Sequence, residues 1–129
     1  MTSEQLVQMA ADARLKAYAP YSNFKVAAAL RVATAEVFTG CNVENISYGL
    51  TICAERVAVG SAIQAGITEF DRLAIVTDSV EPVVPCGACR QVLAEFCPDL
   101  PIVSRTVGGL TAEFALGTLF PKPRQGILK

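Results

Sequence analysis

"RLAIVTDSVEPVVPCGACRQVLAEFC", residues 72–97, sets a strand pattern directly before a helix pattern. "RLAIVT" is a near-continuous apolar run, which suits a strand covered on both faces. "CGACRQVLAEFC" reads as a helix, and Pro98 ends it. Working outward, Thr2 with Gln5 has the form of a capping box, and Leu6, Met9, Ala10 and Ala13 share one helical face. The pattern predicts a helix over about 2–17. "APYSN" (19–23) is a turn, and "FKVAAALRV" (24–32) and "EVFTGCNV" (36–43) are strands joined by a hairpin at "ATA". Alanine-rich strands are atypical, so the first of these rests on its neighbours. "CAERVAVGSAIQAG" (53–66) is expected to be a helix with Val57, Ala58 and Ile63 inward and Gly66 at its close. "IVSRT" (102–106) and "LTAEFAL" (110–116) are short strands, and the tail "PKPRQGILK" (121–129) is irregular. Strands alternating with helices imply an α/β sandwich, one domain over 1–129.

Composition narrows the function. The chain is 52% hydrophobic and 18% charged, which implies a sheet covered on both faces, burial against other subunits, or both. A net charge of −1 without a polybasic run argues against long nucleic acid as a partner. No apolar run is long enough to cross a membrane. The polar start "MTSEQLVQMAADARLKAY" lacks a secretion signal's apolar core, so a cytoplasmic location is expected. Five cysteines in a reducing compartment then suggest metal, catalysis or packing rather than disulfides. The chain has no histidine, which excludes an imidazole base and a histidine metal ligand.

Cys86 and Cys89 stand three apart at a helix start, where two thiolates share a face and the helix N-terminus lowers thiol pKa. The pair alone fits a metal grip, a redox dithiol or two small buried hydrophobes. Cys53 also opens a helix, and Glu55 follows two residues later. Two helix N-termini aimed at one spot would bring three thiolates to one ion, the ligand count of a catalytic zinc site with one open position. Cys41 lies in a strand and Cys97 at a helix end, so both read as core cysteines rather than a fourth ligand. Three thiolates on a divalent cation carry a net negative charge, which a guanidinium from Arg56 would offset, with Arg90 a lesser candidate. The bland reading of either arginine is a surface salt bridge.

"PYSNFKV" (20–26), "GCNVENISYGLTICAER" (40–56) and "PCGACRQ" (85–91) agree in order and spacing with a known family. The chain resembles the zinc-dependent cytidine deaminases, in particular the small homotetrameric kind with three cysteine ligands. The resemblance implies a three-layer α/β/α sandwich with a central mixed sheet of about five strands. It implies one zinc per chain on Cys53, Cys86 and Cys89, with water in the fourth position, and Glu55 as the proton carrier. Asn42 and Glu44 would bind a ribose hydroxyl, and as alternate strand positions both can face one pocket. Phe24 would pack on the base and the Ala54 N–H would hold its carbonyl. The partner implied is a small nucleoside, within a homotetramer whose sites lie near subunit interfaces.

Three departures from the family pattern bear on substrate range. Ala27 stands where glycine is usual, which could tighten the backbone. Ile46 stands where a small residue is usual, near a neighbour's pocket. The tail lacks a Phe after Pro121, leaving Phe120 as the only nearby substitute. The implied reaction is hydrolysis of cytidine and deoxycytidine to uridine and deoxyuridine with release of ammonia, in pyrimidine salvage. The alternatives are a deaminase of a cytosine-bearing antibiotic, a non-catalytic domain with a structural zinc, and a dithiol redox protein. Antibiotic-acting relatives lack the acid matched by Glu44, which argues against the first of these. A structural zinc requires a fourth thiolate, and a redox protein a metal-free Cys86–Cys89 pair.

Overall fold

A computed structural model of the chain describes residues 1–124. The alanine-rich segment is strand β1 (Val26–Val32), and it lies inside the sheet rather than at an edge. Helix α1 (Ser3–Arg14) precedes it and β2 (Val37–Cys41) follows across the hairpin. Then come α2 (Ala54–Gln64), β3 (Phe70–Thr77), α3 (Gly87–Phe96), β4 (Pro101–Thr106) and β5 (Thr111–Ala115). The strand order is β2-β1-β3-β4-β5. β3 and β4 run parallel across the α3 crossover, and the other neighbours are antiparallel. The mixed five-stranded sheet is the one expected.

Alternation along the strands explains the layers. Ala28, Leu30, Leu73, Ile75 and Ile102 face the larger core, which α2 and α3 cover. Ala29, Ala74, Val76 and Val103 face the other side, where Leu6, Val7 and Ala10 of α1 cover them. β1 and β3 are therefore buried on both faces, and small side chains in β1 let two helix layers approach it. Ala27 is fully buried and keeps regular register with Cys41 and Val76, so its methyl group is accommodated without a shift.

Helix α1 begins at the expected capping box, with Gln5 N donating to Thr2 Oγ1 at 3.1 Å and Thr2 N to Gln5 Oε1 at 2.8 Å. It stops at Arg14, short of 17, because Tyr18 must pair in extended form with the 42–44 segment. Tyr18 N donates to Asn42 O at 2.9 Å and Glu44 N to Tyr18 O at 2.8 Å. β2 likewise ends at Cys41, and beyond it Val43 makes only isolated bridges, to Tyr18 and Ile52. A one-turn helix, α4 (Leu116–Leu119), and a 3₁₀ turn at Tyr48–Leu50 had no signal in the sequence. Residues 121–124 are irregular as expected, and the rest of the tail lies outside the described residues.

The inward face of α2 differs from expectation. Ala54, Ala58, Val59 and Ala62 are buried, Val57 is half-buried and Ile63 is exposed. The reason lies across the interface at Gly40. A Cβ there would stand 2.5 Å from Ala58 N and closer still to Ala54 O. The helix backbone rests on β2 there, with the Val57 Cβ 3.0 Å from the same position, so Val57 lies over Gly40 at the margin of the buried face. Gly40→Ala must push α2 off the sheet, at a cost of about 1–3 kcal/mol. The expected outcome is a lower urea midpoint together with weaker metal retention, because Ala54 adjoins Cys53. An unchanged midpoint would show that the contact is not tight.

Candidate active site

The helix α2 that Gly40 seats has Cys53 as its N-cap, and α3 has Cys86 as its N-cap. Neither cap side chain is spent on a capping hydrogen bond, so both sulfurs remain free to bind elsewhere. Cys86 follows the carboxyl end of β3, where open α/β sheets place their sites. Cys89, in the first turn of α3, is fully buried. The three sulfurs lie within 4.8 Å of one another, and Cys53 Sγ is 3.8 Å from Cys86 Sγ. Thiolates at about 2.3 Å from one tetrahedral zinc would stand roughly 3.8 Å apart. The donor set is all soft sulfur, which suits zinc and not a hard cation. No fourth cysteine or acid joins the group among the described residues. Cys97 packs against the larger core and Cys41 is half-buried at the end of β2.

Charge in the cluster is shared unequally. A hydrogen bond from the Cys89 thiol, more than any other contact, brings Cys53 down to about 5. The same bond, with burial, holds Cys89 well above the ordinary thiol range. Arg56 Nη2 donates to Cys53 Sγ at 3.5 Å. Arg90 does something different. Its Nε donates to Pro85 O at 2.7 Å and its Nη1 to Leu119 O at 3.1 Å. It therefore holds the backbone next to Cys86 and, among the described residues, makes neither a sulfur contact nor a salt bridge.

Glu55 is only 6% exposed, and burial pushes its carboxyl up to about 7. It sits in the first turn of α2 beside Cys53.

The 42–44 segment is tied to Cys53 by the antiparallel Val43–Ile52 bridge, whose two N–H···O bonds are each 2.9 Å. Asn42 and Glu44 are not on a regular strand, yet both reach the 21–26 segment. Asn42 Nδ2 donates to Phe24 O at 2.8 Å, and Val26 N donates to Asn42 Oδ1 at 3.0 Å. Glu44 Oε1 accepts from Tyr21 N and Ser22 N, each at 3.1 Å, while the Ser22 hydroxyl donates to Glu44 Oε2. The Ser22 hydroxyl, above all, holds the Glu44 carboxyl below its ordinary range. The Phe24 ring is exposed. Phe120 is partly buried against the larger core. Sequence reasoning missed the roles of Ser22 and Gly40, since "PYSN" was legible only as a turn and Gly40 only as part of a strand.

Residues 1–104 match the family model for the cytidine and deoxycytidylate deaminase zinc-binding region. The chain belongs to that family. Zinc is therefore its cofactor, and the sulfur group is the one suited to it. The chain is 43% identical over 122 residues to a cytidine deaminase of Sporosarcina psychrophila, covering 94% of this chain and 90% of that one. A crystal structure of cytidine deaminase from Burkholderia pseudomallei shares 50% identity and a TM-score of 0.90, covering 94% of this chain and 98% of that one. A blasticidin-S deaminase of Bacillus cereus is 32% identical over 93 residues, 66% of each chain.

The buried carboxyl has a measurable consequence without metal. Its folded pKa, about 7, lies above the ordinary 4.5, so the folded state holds that proton more tightly. The stability it contributes is full below 4.5 and is lost as pH rises through 7. That loss is about 3 kcal/mol. In urea melts of chelated protein, Glu55→Gln is expected to be more stable than the parent at alkaline pH and equal to it in acid. Parallel pH profiles for the two chains would rule out a desolvated Glu55.

Proposed function

We propose that this chain hydrolyses cytidine and deoxycytidine to uridine and deoxyuridine with release of ammonia, residues 1–129 acting as one catalytic domain. The observation that carries this reading is the convergence of three thiol sulfurs from two helix N-termini beside a buried carboxyl. Cys53, Cys86 and Cys89 hold the zinc. When bound, zinc supplies Lewis acidity, which brings the pKa of a water toward about 7. Glu55 takes a proton from the attacking water and delivers it to the ring nitrogen beside the reacting carbon. It then takes the second proton, from the hydroxyl now on the reacting carbon, and passes it to the amine, which leaves as ammonia while the carbonyl forms, as the glutamate of zinc deaminases does. A carboxyl poised near neutrality can both accept and return a proton. Arg56 draws charge from Cys53 Sγ and so keeps the ion electrophilic.

Recognition falls to the 21–26 and 42–54 segments. The Ala54 N–H, in the first turn of α2, has no intrahelical acceptor and is free for the base carbonyl. Phe24 packs on the base. Asn42 retains one N–H and Glu44 one acceptor position, which together suit one sugar hydroxyl. This complementarity favours a nucleoside over a cytosine-bearing antibiotic. Three convergent sulfurs likewise favour a catalytic ion over a dithiol pair or a sealed structural site.

The surface around the 43–52 segment supports a homotetramer. Ile46 is 80% exposed, and Tyr48, Leu50 and Tyr18 are also largely exposed, an apolar patch of the kind that associates. With its side chain directed outward, Ile46 would narrow a neighbour's sugar site rather than its own. No helix among the described residues is long and apolar enough to cross a membrane, and a cytoplasmic salvage role fits that.

Glu55→Gln is expected to retain about one zinc per chain while losing at least 10²–10⁴-fold in cytidine turnover. The ultraviolet assay and metal analysis should use one sample. Retained turnover removes Glu55 from the mechanism. In the same assay Cys89→Ala should lose zinc, because metal binding and folding are coupled. Light scattering at micromolar concentration should give four times the chain mass, and a monomer mass refutes the assembly.

A further inference from the structure

Glu44 does not hold itself in place. Its Oε1 takes two backbone N–H groups, from Tyr21 and Ser22, and its Oε2 takes the Ser22 hydroxyl. Ser22 thus grips both carboxylate oxygens, one through its main chain and one through its side chain. The direction of the hydroxyl proton is not free. Phe24 N donates to Ser22 Oγ at 3.0 Å, and an N–H can only donate. The hydroxyl therefore accepts from Phe24 and sends its single proton to Glu44. Asn23, between them, has a positive φ of 57°, a backbone conformation that asparagine tolerates well. Phe24 is clamped from the other side by Asn42 Nδ2 on its carbonyl.

A carboxylate has about four acceptor positions, and three are occupied. The fourth lies on Oε2, the oxygen whose orientation the Ser22 hydroxyl sets. From this geometry we infer that Ser22 is a positioning residue that aims the free acceptor of Glu44 at one sugar hydroxyl and, through the same Oγ, fixes Phe24 beneath the base. The inference rests on Glu44 reading the sugar, as proposed above. It adds that sugar and base recognition share one hydroxyl group. No proton or bond changes hands in this role, so Ser22 contributes alignment and not chemistry.

A merely structural serine, once removed, would weaken turnover of every substrate alike. A positioning serine changes the ratio between substrates that differ only in a sugar hydroxyl. The test is kcat/KM for cytidine, deoxycytidine and 2′,3′-dideoxycytidine in four zinc-loaded chains: parent, Ser22→Ala, Ser22→Thr and Glu44→Ala. The parent is expected to favour cytidine over the dideoxy analogue by about tenfold or more, the size of a hydrogen bond to a charged group. Glu44→Ala should bring that ratio near unity. Ser22→Ala should lower it several-fold, chiefly through KM for the hydroxyl-bearing substrates, and Ser22→Thr, which keeps the hydroxyl, should restore it. If Glu44→Ala collapses the ratio and Ser22→Ala leaves it intact, the positioning role is overturned and the sugar reading stands. If Glu44→Ala leaves the ratio intact, the sugar reading fails and the inference falls with it. Urea melts of each chain show whether Ser22→Ala is folded, and Ser22→Thr carries the comparison if it is not.

Discussion

The site depends on a close approach of backbone to backbone. Helix α2 can rest its backbone at Ala54 and Ala58 against β2 only because residue 40 has no side chain. That contact decides where the α2 N-terminus points. Cys53 is the N-cap of that helix, Ala54 offers its first free N–H and Glu55 lies one residue on. A thiol, a backbone N–H and a buried carboxyl are thus placed by one packing decision. The α3 N-terminus arrives from the β3 crossover, with Arg90 holding the Pro85 and Leu119 carbonyls.

Electrostatics in the cluster follows from the same convergence. Helix N-termini favour anions, and two of them meet at sulfur. Arg56 adds a full positive charge at Cys53. Within a few ångströms the environment reverses for Glu55, which is buried and resists ionisation. The Cys53 thiol and a carboxyl therefore sit side by side with their proton affinities pushed in opposite directions, Cys53 down and Glu55 up. Opposed surroundings of this kind set two neighbouring groups to different protonation states.

The second half of the site is a short stitched loop. The 21–25 segment has no regular structure, yet Glu44, Ser22, Asn42 and Asp78 each bond its backbone. Asp78 Oδ2 accepts from Lys25 N at 2.9 Å while its Oδ1 pairs with Arg14 at 2.7 Å. The Val43–Ile52 bridge then fastens this loop's anchors to the residue before Cys53. The loop and the cysteine cluster are consequently parts of one connected body, held by hydrogen bonds that water would otherwise contest.

The residue pattern alone determined the five strands, the three main helices and the identity of the cysteine group, because these are encoded within a few neighbouring positions. The capping box at Thr2, the apolar run in β3 and the Cys86–Cys89 spacing are all local. The absence of histidine further narrowed the candidate acid–base groups. Only the tertiary structure decided which face of α2 turns inward, because Gly40 and Ala58 meet across the sheet and no helical periodicity contains that contact. It also decided that Arg90 braces carbonyls, that α1 stops at Arg14 to let Tyr18 pair, and that the Ser22 hydroxyl bonds Glu44 across 22 positions of sequence. A hydrogen-bond donor can be read from its residue type, but its partner is chosen by the fold that brings it within reach.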